Sequence, residues 1–295
     1  MANRTVLKLA AGPLSLDLSP SDGGSICAFE FQEGDTNRRI LRECNSVSEN
    51  VLDMGSFPLV PYVNRIRGGE FQFRGRRIGI APNMAGDPSP LHGQGWLNPW
   101  TVESASQREA TLRFEHSAGE WPWDYEARQQ FSLDERGLSL SLTCRNRAPA
   151  PMPCGLGQHP YFECGGGTRI DTRVSHAWTI DEQILPVAKV PAEGRFDLGG
   201  RPVCGQDLDH GFGGWDGRAH LSDPDWPFDL ELSSPNAGFF QLYSPAAGGI
   251  FVAEPVSHAN AALNAPEQEW AELGMRVLDP GEEMRLDMRL EVRLK

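Results

Sequence analysis

Apolar and polar residues alternate one by one over long stretches of this chain. Leu14, Leu16 and Leu18 alternate with Ser15, Asp17 and Ser19, and Leu138, Leu140, Leu142 and Cys144 with Ser139, Ser141 and Thr143. Near the end, Leu286, Met288, Leu290, Val292 and Leu294 alternate with Asp287, Arg289, Glu291 and Arg293. Successive side chains of a strand point to opposite faces, so each pattern turns one face to a core and one to water, as in antiparallel sheet. Asp134-Glu135-Arg136-Gly137 separates the segments Tyr125–Leu133 and Leu138–Arg145, and a turn with glycine in last place predicts a hairpin there. Further strands are predicted over Thr111–Glu115, Phe228–Ser233 and Phe239–Tyr243. Pro266, followed by Glu267, Gln268, Glu269, Trp270, Ala271 and Glu272, predicts one short helix with proline and acids in its first turn.

The 32 glycines and 23 prolines are scattered as turn residues and form no linker. Neither a repeat nor a low-complexity block interrupts the chain. With 295 residues, this pattern predicts an all-β fold, a large sandwich or barrel, in a single domain over residues 1–295. The formal net charge of −13 speaks against a nucleic acid or an anionic membrane as partner, since both require basic surface. Lys8, Lys189 and Lys295 are the only lysines, which leaves little choice for a Schiff base. Cys27, Cys44, Cys144, Cys154, Cys164 and Cys204 contain no CxxC pair. Reduced thiols are expected in a chain of this size, a Cys154–Cys164 bridge being the alternative. The first residues lack a continuous apolar run and no segment reaches membrane-spanning length, which predicts a soluble, cytoplasmic protein. Without a leader, the Asn3-Arg4-Thr5 sequon is read as chance.

There is no Walker loop, no GxGxxG opening a helix, no HExxH, no cysteine–histidine zinc pattern and no GxSxG elbow. Gly165-Gly166-Gly167 reads as a loop with no helix to follow it. Chemistry here would be acid–base work by side chains. Five stretches could carry it. In Gly157-Gln158-His159-Pro160-Tyr161-Phe162-Glu163, proline holds His159 on stiff, extended backbone, and histidine titrates near neutrality. Pro61–Ile66 sets Arg65 between apolar neighbours, and Leu91–Trp96 surrounds His92 with glycines that would let a ligand approach the backbone. Asp209–Trp215 combines an acid, a histidine and two aromatics in what reads as a glycine-rich loop. Ile250–Pro255 ends an apolar run on Glu254, whose pKa burial would raise and a nearby arginine would lower. Each has an ordinary alternative: a buried histidine, an edge-strand arginine, a loop histidine, a turn aspartate and a strand-end acid.

Taken together, His159-Pro160-Tyr161-Phe162, Asn64-Arg65-Ile66, Leu91-His92-Gly93, Asp209-His210-x-Phe212 and a late Glu254 resemble the aldose 1-epimerases, also called galactose mutarotases. The resemblance extends to Trp121-Pro122-Trp123-x-Tyr125 and Leu278-x-Pro280-Gly281-Glu282. It implies a β-supersandwich of large, mostly antiparallel sheets, no cofactor, no metal, and a sugar pocket on a concave sheet face. By the same resemblance His159 would be the general acid and Glu254 the general base. Arg65, His92, Asp209 and Asn64 would hold sugar hydroxyls, with Tyr161 and Trp96 against the ring. The expected partner is a monosaccharide, taken by a monomer or homodimer. The chain departs from the best-known galactose enzymes at Glu163-Cys164, at Gln94-Gly95-Trp96 and at Pro255-Val256, which bears on the identity of the sugar.

Exchange of α and β anomers needs one group to take the anomeric hydroxyl proton and another to protonate the ring oxygen. A carboxylate and a histidine on opposite sides of the ring would serve, each contributing about 10²–10⁴-fold. Two other readings use the same scaffold. A hexose-6-phosphate 1-epimerase is suggested by Arg67-Gly68-Gly69, because phosphate needs arginine partners. A non-catalytic carbohydrate-binding protein would not need both His159 and Glu254. A glycosidase would require a carboxylate pair where this set offers one glutamate and one histidine.

Overall fold

The alternation resolves into sheet in the computed structural model, which describes residues 6–44 and 50–295; the Asn3-Arg4-Thr5 sequon lies outside them. Leu14–Ser19 is a strand with Leu14, Leu16 and Leu18 buried, second in a four-stranded antiparallel sheet. In the strand Glu283–Leu294, Met284, Leu286, Met288, Leu290 and Val292 are buried, but Leu294 at its end is exposed. The hairpin pairs Tyr125–Asp134 with Gly137–Asn146, and the ladder closes at Asp134 opposite Gly137. This hairpin and Glu283–Leu294 form the middle of a nine-stranded sheet.

An eight-stranded sheet faces it. Its order is Pro186–Pro191, His176–Ile180, Leu208–Gly213, Phe239–Ser244, Ile250–Val256, Gly157–Gln158 and Pro58–Leu59, with Tyr161–Glu163 also paired to Ile250–Val256. Phe131, Leu140, Leu286 and Leu290 of the first sheet share one buried cluster with Phe212, Phe240, Leu242, Phe251 and Ala253 of the second. The fold is therefore all-β, a sandwich of large antiparallel sheets. Among the described residues, no helix is long and apolar enough to cross a membrane.

Three expectations are corrected. The segment after Pro266 forms only a 3₁₀ turn, Glu267–Glu269, instead of a helix through Glu272. The stretch between Pro266 and Gly274, whose φ is 81°, is too short to sustain a costly helical nucleus, and Trp270 is fixed by stacking on Phe73 at 5.4 Å. Residues 209–213 are not loop but strand: Phe212 enters the core, while Gly211 and Gly213 occupy the opposite face. The thiols are not all reduced. Cys164 and Cys204 form a disulfide across a separation of 40 residues, so the Cys154–Cys164 alternative fails too, and Cys144 and Cys154 are buried outside any disulfide. Cys164 follows Tyr161–Glu163 of one sheet and Cys204 follows Arg201–Pro202 at the edge of the other, a proximity created only by the packing of the sheets.

Candidate active site

Period two decides which side chains leave the core. In Ile250–Val256, Phe251 and Ala253 point inward, so Glu254 must point out of the sandwich. Gln241 lies directly opposite Glu254 on the next strand, and Gly211 opposite Gln241 on the one after. Asp209, two residues before Gly211, shares their face, and Gln241 Nε2 donates to Asp209 Oδ1 at 2.7 Å. Three neighbouring strands thus present Asp209, Gln241 and Glu254 on one outer surface.

The facing wall comes from two irregular segments bridged at Arg65–Leu91 and Val60–Gly93. Asn64 and His92 both adopt left-handed backbone, with φ of 59° and 57°. The Asn64 N–H donates to His92 Nδ1 at 3.1 Å. Nδ1 is therefore an acceptor, and the neutral ring carries its proton on Nε2. Burial, aided by His159 and Arg65, holds His92 well below the usual histidine range, so it stays neutral. The glycine after His92 does not open the backbone to a ligand: a Cβ at Gly93 would lie 2.1 Å from the Val60 carbonyl oxygen. Arg65, 8% exposed, donates from Nε to Asp87 Oδ2 at 2.8 Å and from Nη1 to Asn64 Oδ1 at 3.2 Å. From below, His258 Nε2 accepts the Val63 N–H at 2.9 Å and Nδ1 donates to the Ala259 carbonyl.

His159 is pinned by its backbone N–H, which donates to the Phe57 carbonyl at 3.1 Å, and by its ring, stacked on Phe57 at 4.5 Å. Tyr161 lies 4.7 Å away, beneath the Arg42 guanidinium at 3.8 Å from its ring centre, a cation–π contact. His159 Nε2 stands 3.3 Å from Glu254 Oε1. Burial lowers the imidazole to about 3 and raises the Glu254 carboxyl well above its usual range, with Asp209 adding to the rise and Arg65 opposing it. The 3.3 Å approach is therefore a contact within an uncharged pair, despite the ion-pair distance, because both charged forms are disfavoured in a buried site. His159 Nδ1 and Glu254 Oε2 are buried without a protein partner among the described residues. Asp209 is likewise raised, by burial first, while Arg65 and Gln241 pull it down.

His159, Glu254, Arg65, His92, Asp209, Asn64, Tyr161 and Trp96 all line one cavity of about 290 Å³. Trp96 offers only its ring, since its indole N–H donates to the Leu91 and Gly93 carbonyls. The two titratable groups are neighbours, not opposed across the cavity as the sequence reading had them. Arg67 is engaged elsewhere, with Asp181 at 3.1 Å and the Pro186 carbonyl, and is not part of the cavity wall. The sequence reading missed Asp87, Phe57, Asn260 and Ile184, which lie in segments with no periodic or motif signal. Gln241 could have been found, as a lone polar residue on the outward phase of Phe239–Tyr243. A wider hollow of about 460 Å³ lies over the nine-stranded sheet, but Arg285 and Arg289 there pair with Asp287 and Asp134 at the surface. Among the described residues no group of three or more His, Cys, Asp or Glu is arranged to hold a metal.

The Escherichia coli K12 protein YphB, itself uncharacterized, is 33% identical over 299 residues, covering 98% of this chain and 99% of its own. The crystal structure of the protein b2544 from the same organism superposes with a TM-score of 0.89 at 31% identity, covering 99% of each chain. A galactose mutarotase-like protein of Clostridium acetobutylicum shares the fold, with a TM-score of 0.85 at 17% identity over 99% of this chain and 96% of its own. The family profile of the aldose 1-epimerases matches residues 16–291, nearly the whole length, and the chain belongs to that family.

Proposed function

We propose that the protein interconverts the α and β anomers of a free aldose, with His159 as acid and Glu254 as base. The observation that carries this reading is the 3.3 Å contact of His159 Nε2 with Glu254 Oε1 inside a buried cavity. The two oxygens that exchange protons in mutarotation, O1 and O5, are bonded to the same carbon. A donor and an acceptor that serve both must therefore be adjacent, and these are.

In the reacting state the pair carries its one transferable proton on His159, leaving Glu254 as the carboxylate. Glu254 then takes the proton of the O1 hydroxyl while His159 gives one to O5. The C1–O5 bond breaks, C1 becomes an aldehyde, and rotation about C1–C2 exposes its other face. Closure returns the O5 proton to His159 and the carboxyl proton to O1, so no group is consumed. The His92 Nε2 proton and the Arg65 guanidinium are donors for ring hydroxyls, and Asp209 is an acceptor. Tyr161 and Trp96 supply flat faces for the C–H side of the sugar.

Polarimetry of fresh α-D-glucose, α-D-galactose and L-arabinose, with a coupled assay on glucose 6-phosphate, tests the reading. Wild-type protein is expected to accelerate at least one free sugar, and His159→Asn to lose about a hundredfold or more of that rate. Acceleration confined to the phosphorylated sugar, or binding without acceleration, would overturn it.

A further inference from the structure

Asp87 is not part of the cavity wall, yet its carboxylate sets how a wall residue sits. The Arg65 guanidinium is a rigid plane with five N–H donors. Nε donates to Asp87 Oδ2 at 2.8 Å and Nη1 to Asn64 Oδ1 at 3.2 Å. The side chains of the ion pair are only 9% and 11% exposed. Two anchors on a planar group fix its orientation. They leave Nη2 with no protein partner among the described residues, on a side chain that lines the cavity. The Arg65 backbone is held separately: its N–H donates to Asn260 Oδ1 at 3.2 Å, and Asn260 Nδ2 donates to the Ile184 carbonyl at 2.9 Å.

Asp87 is itself braced, in the loop between the strand Arg76–Gly79 and Leu91. Asn83 closes that loop, donating from Nδ2 to the Leu91 carbonyl at 2.7 Å and accepting the Leu91 N–H at 2.8 Å. Asp87 Oδ1 accepts the Ser89 N–H at 2.8 Å, and Ser89 Oγ accepts the Gly68 N–H at 3.3 Å. One carboxylate oxygen thus braces the loop and the other braces Arg65. A second carboxylate is within the reach of the Arg65 charge. Asp209 lines the same cavity, and Arg65 pulls its carboxyl down against the effect of burial. Among the described residues, however, Arg65 forms its ion pair with Asp87 and not with Asp209.

Resting on the epimerase reading, we propose that Asp87 is a positioning residue for the reaction: it holds the Arg65 guanidinium by Nε, turns the Nη2 edge to the sugar hydroxyls and keeps the guanidinium off Asp209. Without Asp87 the guanidinium turns to Asp209, and a donor and an acceptor for hydroxyls satisfy each other instead of the sugar. The loss falls on binding, because neither Arg65 nor Asp209 carries the protons that are exchanged.

A double-mutant cycle tests this. KM and kcat for anomeric exchange of D-glucose, D-galactose and L-arabinose are measured by NMR in wild type, Asp87→Ala, Arg65→Ala and the double variant. Asp87→Ala is expected to raise KM about tenfold with kcat within about threefold, short of the roughly hundredfold that a 1 Å misplacement can cost. In the Arg65→Ala background the same substitution should change KM by less than about twofold, because no guanidinium is left to aim. Asp87→Asn keeps the shape and removes the charge; it should raise KM by about threefold or more, and it takes the place of Asp87→Ala in the cycle if that variant does not fold. An equal rise in KM in both backgrounds would overturn the proposal, leaving Asp87 as a brace for its own loop. Unchanged KM in the Asp87 variants, or a fall in kcat with no rise in KM, would overturn it too. If wild type exchanges no sugar, the epimerase reading fails instead. Calorimetric Kd values for the same sugars then take the place of KM in the cycle, with the same outcomes on either side; a protein that binds none of them overturns both.

Discussion

Burial acts on His159 and Glu254 in opposite directions, lowering one to about 3 and raising the other, because it penalises whichever form is charged. A group whose folded pKa lies above its unfolded value contributes stability below the unfolded pKa and loses it as pH rises through the folded one. Glu254 is such a group, so at neutral pH it weakens the fold that holds it. Glu254→Gln removes the titration while keeping the shape. Epimerisation should fall by about 10²-fold or more, the scale of a general base. Sugar affinity should change by less than about tenfold, or 1.4 kcal/mol. The variant should also melt higher than wild type at pH 7, and the difference should vanish below about pH 4, where the carboxyl is protonated in both states. Thermal melts across pH together with NMR exchange rates check this; equal turnover in the variant would move the base role to Asp209.

One element with little regular structure, Val60–Ile66 against Leu91–Trp96, carries five of the cavity residues. Its geometry hangs on a close approach at Gly93, where φ is 73° and the Val60 carbonyl leaves no room for a side chain. The same contact is supported by the Val60 N–H, which donates to the His92 carbonyl at 3.2 Å. Gly93→Ala must push these segments apart, at a cost of roughly 1–3 kcal/mol. The shift displaces His92 and Arg65 together, so sugar affinity should weaken with stability. Gly79→Ala, at a position with open space and no left-handed φ, is the control and should be near neutral. Chemical denaturation paired with sugar titration separates the two; a Gly93→Ala protein as stable and as tight-binding as the control would show that the approach is not needed.

Across the whole molecule the two large sheets are held by a shared apolar core and by one covalent link, Cys164–Cys204. Closing a loop with a separation of 40 residues is worth about 4 kcal/mol in the chain-entropy account. Denaturation of the oxidised protein with and without reductant should therefore differ by about that amount, and Cys164→Ser with Cys204→Ser should behave as the reduced form does. A midpoint indifferent to reductant would mean that the link adds nothing to the stability of the sandwich.

The all-β fold was legible in the sequence because period two is a local property: the alternation from Leu138 and that from Leu286 each state a strand with one buried face. Eight of the cavity residues were legible as well, through motifs of unusual local composition such as His159-Pro160-Tyr161-Phe162. What alternation could not say is which strands are neighbours. Registry alone puts Gln241 beside both Glu254 and Asp209. Contacts between segments remote in sequence make His159 and Glu254 adjacent instead of opposed, and they pair Arg67 with Asp181, outside the cavity wall. They join two cysteines that the sequence left as thiols and bring Ile184 into the cavity through Asn260. Local pattern sets which face a side chain takes; only the packing of distant segments sets what stands across from it.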